Sequence, residues 1–211
     1  MNQINIIDKI QLTDKGLVVR GTKQEAHLRQ GQLDGACAVY SMMMCLIIER
    51  IIKRSLVTDV PSRLKRNTAD GRLVSYFLEK QGMVIDGYWL NELCDDLQKA
   101  FKKKVIPHYY GKNNDVDLVD EIINNLELNH PVEVSFRRKG TFGHALVAVG
   151  YKVEGSSVTL YCLDPGYILE EGQIWNNILV IDTTAKAKYN CYNMKEKSNT
   201  NIHEILVFEK R

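Results

Sequence analysis

The chain has 211 residues, of which 45% are hydrophobic and 26% charged, a composition typical of a soluble globular protein. A formal net charge of +2, with basic and acidic residues interspersed, argues against a nucleic-acid-binding surface. The five cysteines have no CxxC spacing, which argues against a disulfide framework and a structural zinc site. We therefore expect a single domain, residues 1–211, in a reducing compartment.

The N-terminal stretch is apolar, but it contains Asp8 and Lys9 and has no cleavage-site pattern, which distinguishes it from a signal peptide. No segment approaches the length of uninterrupted apolar sequence that spans a bilayer. We therefore expect a cytoplasmic protein without a membrane contact, or one exported by a route that does not read an N-terminal signal.

The first half of the chain has the apolar spacing of helices. After turn residues at Gly31, Asp34 and Gly35, apolar residues recur at helical intervals from 37 to about 54, which predicts a largely buried helix. The same spacing, bounded by Gly, Asp or Asn, predicts three further helices at 73–80, 90–103 and 116–126.

After Pro131 the pattern changes to short runs rich in β-branched and aromatic residues. These runs predict strands at 132–136, 144–151, 158–163, 178–181 and 202–208. Helices followed by strands predict an α+β protein in which a helical layer packs on an antiparallel sheet. We expect the helical part to cover about residues 30–130 and the β-sheet part about residues 131–211.

A polar loop containing glycine, residues 30–36, leads directly into Cys37 at the start of the first predicted helix. A thiol at a helix N-terminus faces unpaired backbone N–H groups and the positive end of the helix dipole, which stabilise a thiolate. Cys37 is therefore the candidate nucleophile, although a small apolar residue at the start of a buried helix would fit the same pattern. The other cysteines lack such a loop and are expected to be structural: Cys45, Cys94, Cys162 and Cys191.

A second glycine-containing loop, residues 140–143, brings His144 to the first position of an apolar strand. A histidine at that position lies at the margin of the sheet, where a group on another element can reach it. His144 is therefore the candidate base. The other four histidines are expected at the surface or at strand ends: His27, His108, His130 and His203.

The next predicted strand ends in Asp164, which is followed by Pro165 and Gly166. The segment 154–157, Glu-Gly-Ser-Ser, is a turn signal that joins the two strands as a hairpin. A turn centred near residue 155 places His144 opposite about residues 164–167. Asp164 is therefore expected close to His144, where its carboxylate would accept the imidazole N–H and fix the tautomer.

A cysteine nucleophile also needs a donor for the negative oxygen of the tetrahedral intermediate. The candidates are Gln32 and Gln30, with the backbone N–H of Cys37 as the second donor. We favour Gln32 over Gln30 because it leaves the tighter loop before the nucleophile.

These motifs resemble the papain-like cysteine peptidases, and among them the double-glycine leader peptidases that process bacteriocin precursors. The resemblance rests on the loop into Cys37, on the sequence Gly-His-Ala-Leu-Val-Ala-Val-Gly-Tyr at 143–151 and on Leu-Asp-Pro-Gly at 163–166, in the same order as in that family. It implies a papain-like fold whose N-terminal active-site helix packs on the sheet. It also implies that Cys37 attacks the carbonyl, His144 moves the proton, Asp164 orients His144, and a preceding glutamine completes the oxyanion hole.

The function that this resemblance implies is cysteine-dependent hydrolysis of amide bonds in a peptide or protein substrate, without a cofactor or a metal ion. Leader removal does not carry over, since the chain has no membrane segment or nucleotide-binding loop, and we expect a free-standing bacterial peptidase. A transglutaminase or a protein deamidase would use the same thioester, and an inactive papain-like fold would serve as a binding module. Phe142 and Gly143, beside His144, are the candidate substrate contacts.

Overall fold

The computed structural model describes residues 3–31, 36–58, 67–81, 88–111, 116–138, 140 and 143–211, with the backbone alone for 78–81. Three short strands open the chain, and the helices and the remaining strands follow. In chain order the elements are β1 (Asn5–Ile6), β2 (Ile10–Thr13), β3 (Gly16–Val19), α1 (Cys37–Ile48), α2 (Ser55–Thr58), α3 (Ala69–Gln81), α4 (Leu90–Phe101), β4 (Val105–Gly111), α5 (Leu118–Glu127), β5 (Val132–Arg138), β6 (Gly143–Glu154), β7 (Ser157–Leu163), β8 (Asn177–Asp182), β9 (Cys191–Asn193) and β10 (Ser198–Lys210).

The predicted α+β class is confirmed. Eight strands form one antiparallel sheet in the order β1-β6-β5-β10-β9-β8-β7, and β4 pairs with β10. Because β7 also pairs with β6, the strands from β5 to β10 close into a ring. Helix α1 packs on β5 and β6, α4 packs on β4 and β10, and α5 packs on β6 and β10. Buried apolar side chains of these helices and strands form one cluster.

Helix α1 is the most buried helix of the described chain. All of its residues from Met42 to Ile48 are inaccessible to solvent, as expected of a helix that is apolar on every side. None of the described helices is long and apolar enough to cross a membrane.

The predicted extension of this helix to residue 54 is wrong. Arg50 adopts a left-handed conformation with φ of 56°. Its N–H donates to the Ile47 carbonyl at 3.0 Å, and the N–H of Ile51 donates to the Leu46 carbonyl at 2.8 Å. This is a Schellman ending, which usually has glycine at the left-handed position. Ile51 and Ile52 remain buried after the helix has ended, which explains why the apolar spacing appears to continue.

The expected division into a helical part and a β-sheet part also needs correction, because β4 lies within the segment 30–130. Among the described strands β4 pairs with β10 alone, and its Pro107 is compatible with an edge strand, which has one side without ladder hydrogen bonds. The short strands β1, β2, β3 and β9 were also not predicted. Each has two to four residues, too few for the alternation by which a strand is recognised.

The predicted hairpin between β6 and β7 is confirmed. Glu154 pairs with Ser157, and Gly155 between them has φ of +60°, a conformation that glycine adopts without strain. The register shifts by one residue between Ala148 and Gly150. Strand β6 therefore contains a β-bulge, for which the one indication in the sequence is the isolated Gly150 within the apolar run.

The first strand docks beside this bulge, and Gly150 permits its close approach. A Cβ atom on Gly150 would lie 2.5 Å from the Asn5 carbonyl oxygen and 3.2 Å from the Ile6 Cα atom. Both are main-chain atoms and cannot rotate away. We predict that Gly150→Ala forces β1 away from β6 and lowers the free energy of unfolding by about 1–3 kcal/mol.

Chemical denaturation measures this loss, and a chain lacking residues 1–6 provides the control. In that background Gly150→Ala should cost little, since the strand that the new methyl group displaces is gone. An equal loss in both backgrounds would contradict the explanation.

Candidate active site

Cys37 is the first residue of α1, and it is the one partly exposed cysteine of the five. All five are free thiols. Burial raises the pKa of the Cys45 and Cys162 thiols well above the ordinary value and that of Cys94 and Cys191 to about 11. These four cysteines are therefore held as thiols at neutral pH, whereas Cys37 makes a side-chain hydrogen bond with His144.

His144 is the second residue of β6, where the strand leaves the preceding loop. Its Nε2 atom lies 2.7 Å from Oδ1 of Asp164, so Nδ1 is the ring nitrogen that remains for Cys37. Burial lowers the pKa of His144, but the hydrogen bonds with Asp164 and Cys37 outweigh burial and raise it to about 10. The Phe136 ring contacts the imidazole edge to face, with 5.5 Å between centroids. The imidazole is therefore held in place and is protonated at neutral pH.

The bulge in β6 determines which face of the sheet Asp164 occupies. Next to the site, Val147 pairs with Leu163. Extending this register by one residue places Asp164 opposite Leu146, and therefore on the same face as His144. Without the extra residue of the bulge, Asp164 would be opposite Val147 and its side chain would point to the other face.

The Asp164 carboxylate is completely buried and accepts three hydrogen bonds. Oδ1 accepts from His144 and from the backbone N–H of Gly166 at 2.8 Å, and Oδ2 accepts from Nδ2 of Asn177 at 2.8 Å. Burial raises the pKa of Asp164, but the hydrogen bond and charge of His144, together with the Asn177 and Gly166 donors, outweigh it and lower the pKa. The group is therefore an oriented carboxylate at neutral pH.

The backbone of Asp164 is held by two residues that the sequence did not indicate. Oδ1 of Asn176 accepts from the Asp164 N–H at 2.6 Å, while its Nδ2 donates to the Asp164 and Tyr167 carbonyls at 2.9 and 3.0 Å. Nε2 of His27 lies 3.0 Å from the same Asp164 carbonyl, which requires the proton on Nε2 because a carbonyl only accepts. His27 is thus partly buried beside Asp164, not at the surface as expected.

The remaining predicted site residues are placed only in part. Gln32 and Phe142 lie outside the described residues. The backbone N–H of Gln30 donates to the Pro165 carbonyl at 2.9 Å, so Gln30 lies beside the turn that follows Asp164. Gly143 is exposed and pairs with Arg137 on β5. A Cβ atom there would make only ordinary contacts, the nearest 3.6 Å from the Phe136 carbonyl oxygen.

Glu133 is an unusual neighbour of Cys37. It is completely buried on β5, and neither carboxyl oxygen has a hydrogen-bond partner among the residues that the structure describes. Burial, followed by the charges of Cys37 and Glu204, raises the pKa of Glu133 well above its ordinary value. Burial therefore favours the neutral form of this carboxyl group, as expected of a buried acid whose oxygens have no partner among the described residues.

An exposed aromatic residue, Trp89, directly precedes the backbone partner of Glu204. The guanidinium of Arg137 lies 4.2 Å from the centroid of the Trp89 ring, and Trp89 is 42% exposed. Glu204 accepts from the Leu90 N–H, the first residue of α4, at 3.2 Å. Within the described ranges, no cluster of three or more His, Cys, Asp or Glu side chains is placed to hold a metal ion.

The fold and this group of side chains define the class of papain-like cysteine peptidases. Comparison with known families narrows the assignment: the model described as the Peptidase_C39 like family matches residues 17–199, and the chain belongs to this family. The match includes Cys37, His144 and Asp164, and it confirms the resemblance inferred from the sequence motifs. Membership supports a cysteine peptidase-type hydrolase. No curated protein matches the chain significantly.

Proposed function

We propose that the protein is a cysteine-dependent amide hydrolase in which Cys37 is the nucleophile, His144 the general acid and base, and Asp164 the residue that orients His144. The observation that carries this proposal is the continuous hydrogen-bonded series from Cys37 through His144 to the buried Asp164 carboxylate. A nucleophile, a base within reach and a third group that orients the base are the parts that covalent catalysis of acyl transfer requires.

The reaction begins with a proton on His144 and a thiolate on Cys37. The sulfur attacks the carbonyl carbon, and the negative charge moves to the carbonyl oxygen in a tetrahedral intermediate. As this collapses, the C–N bond breaks, Nδ1 of His144 gives its proton to the departing amine, and a thioester forms. Water then attacks the thioester, His144 takes up the water proton, and the acid product and the Cys37 thiolate are released.

The intermediate needs two donors for its oxygen. The backbone N–H of Cys37 is proposed as one, since Cys37 is the first residue of α1 and the N–H groups of a helix's first turn point out of its N-terminal end. The second is proposed to be Gln32, with Gln30 as the alternative. The contact of the Gln30 main chain with Pro165 holds Gln30 beside the turn after Asp164, and this is compatible with either glutamine as the donor.

The substrate is proposed to be a peptide or a protein, with Gly143 and Phe142 at the substrate side of His144. Packing within the described chain does not require glycine at position 143, because a Cβ atom would fit there. A requirement for glycine would therefore come from the close approach of a substrate backbone.

Selective alkylation tests this proposal without knowledge of the substrate. The protein is treated with iodoacetamide at pH 6, and the rate at each cysteine is measured by mass spectrometry in the wild type, in His144→Ala and in His108→Ala. At pH 6 an ordinary thiol with a pKa of about 8.5 is less than about 1% ionised. Cys37 should therefore react at least about 10-fold faster than Cys94, and the rate at Cys37 itself should fall in His144→Ala.

His108 lies on β4 near Glu209, so its replacement controls for the loss of a histidine. The His108→Ala protein should label like the wild type. Labelling of Cys37 that is no faster than that of Cys94 would contradict the hydrolase and leave the inactive binding module. A reactive Cys37 permits the next assay, in which ammonia release or amine incorporation on glutamine-containing proteins would identify a deamidase or a transglutaminase.

A further inference from the structure

The hydrogen bonds of the Asp164 carboxylate point to a further functional residue. Because Asp164 is inaccessible to solvent, bulk water does not solvate its lone pairs. Oδ1 is occupied by His144 and the Gly166 N–H. Among the described residues, the side-chain donor to Oδ2 is Nδ2 of Asn177, at 2.8 Å. The orientation of the carboxylate towards His144 therefore depends on Asn177.

Asn177 is itself fixed in one orientation. It is the first residue of β8, where it pairs with Cys162 two residues before Asp164, and it is 3% exposed. Its Oδ1 atom accepts from the Ile178 N–H at 2.8 Å. Reversing the amide would bring Oδ1 against a carboxylate oxygen and its NH₂ group against an N–H donor, so the geometry permits one assignment.

An amide has an advantage over a cation at this position. A lysine or arginine would neutralise the Asp164 carboxylate and compete with His144 for it. The amide donates a hydrogen bond to the ionised form without adding charge, so His144 remains the principal positive partner of the carboxylate. The depressed pKa of Asp164, to which Asn177 contributes after His144, is consistent with this role.

We infer that Asn177 is a positioning residue for the reaction, whose side-chain amide holds the Asp164 carboxylate ionised and directed at His144. The inference rests on the proposed function. Asn176 has a different task, because its amide binds the main-chain N–H and carbonyl of Asp164. Two adjacent asparagines thus fix the backbone and the carboxylate of one residue separately.

The test measures the rate of Cys37 alkylation by iodoacetamide between pH 5 and pH 7.5 in the full chain, with Asn177→Leu and Asn177→Asp. Removal of a hydrogen bond to a charged group should make Asn177→Leu about 10- to 100-fold slower at all of these pH values. In Asn177→Asp the introduced carboxyl and Asp164 share a proton, as paired carboxylates do. While protonated, the new carboxyl donates to Oδ2, so the rate of Cys37 labelling should be close to that of the wild type at pH 5. As pH rises, the rate in the variant should fall relative to that of the wild type.

A merely structural asparagine would not produce this pH dependence. Asn193→Asp is the matched control, because Asn193 is fully buried and caps the turn at Lys195 and Glu196 without contacting Asp164. The Asn193→Asp protein should lose thermal stability, but its rate of Cys37 alkylation should depend on pH as in the wild type. Wild-type labelling rates from pH 5 to pH 7.5 in the two Asn177 variants would overturn the inference, while slow labelling of wild-type Cys37 would overturn the proposed function itself.

Discussion

Replacement of Asp164 by asparagine is expected to slow amide hydrolysis by up to about 10⁴-fold, the loss that follows when the aspartate of a serine-protease triad is replaced in this way. The carboxylate stabilises the His144 imidazolium, and the neutral amide cannot. Asparagine also offers one acceptor oxygen in place of two and adds an NH₂ group. At least one of the three donors now bound to Asp164 would therefore face another donor.

The alkylation assay at pH 6 provides the readout. Without the carboxylate the pKa of His144 falls, because one of the two groups that raise it against burial has been removed. The imidazole is then more often neutral and supports the Cys37 thiolate less well, so labelling should decrease at least about 10-fold. Asp182→Asn is the matched control, since Asp182 is an exposed residue at the other end of β8 that binds Thr184.

Stability adds a second expectation with a defined sign. The pKa of Asp164 is lowered in the fold, so its ionisation contributes stability that is fully present above the unfolded pKa and is lost as pH falls through the folded pKa. Asp164→Asn should therefore be less stable than the wild type at pH 7, and the difference should narrow in acid. Unchanged labelling in a folded Asp164→Asn protein would remove Asp164 from the proposed mechanism.

The sequence was sufficient to predict the order of the site residues and the hairpin that brings them together. Turn chemistry at Gly155 gives an approximate register, and this was enough to place Asp164 near His144. Periodicity could not predict the bulge between Ala148 and Gly150, which brings both side chains to one face. A bulge is stabilised by tertiary contacts, here by the hydrogen bond from the Ile7 N–H to the Val149 carbonyl at 2.9 Å.

The residues around Asp164 were missed for a related reason. His27 is separated from Asp164 by 137 residues, and its contact is with a main-chain carbonyl, for which a sequence contains no signal. The pair Asn176 and Asn177 resembles an ordinary turn before a strand. Two adjacent amides at the start of an apolar strand were the available indication, because buried amides need partners.

Replacement of the buried Glu133 is also expected to have a large effect, in this case on the free energy of unfolding. We predict that Glu133→Gln is more stable than the wild type above the pKa of an unfolded glutamate, and that its advantage increases as pH rises towards the folded pKa of Glu133. The pKa of Glu133 is raised in the fold, first by burial and then by the Cys37 and Glu204 charges. Above the unfolded pKa, the unfolded chain releases this proton while the folded chain keeps it, so wild-type stability falls with a slope approaching about 1.4 kcal/mol per pH unit up to the folded pKa.

Urea denaturation at several pH values measures the slope, and two further variants separate its causes. Glu133→Met also removes the unsatisfied polar atoms. Its free energy of unfolding should therefore exceed that of Glu133→Gln by about 1–3 kcal/mol at every pH. Glu209→Gln changes a glutamate that is partly exposed on β10, and it should follow the wild-type curve. The groups near Glu133 are Cys37 and Cys45 of α1 and Glu204 of β10, and all three are unchanged in these variants.

Retention of such a costly group would have a functional basis if Glu133 must stay neutral beside Cys37, the proposed nucleophile. The coupling between Cys37 and Glu133 is reciprocal, so an ionised Glu133 would oppose the Cys37 thiolate as strongly as the thiolate opposes ionisation of Glu133. Because burial keeps Glu133 protonated, the thiolate meets no second negative charge on that side. Parallel stability curves for the wild type and Glu133→Gln would show that Glu133 is ionised in the fold, and would then require a cationic or water partner for its carboxylate.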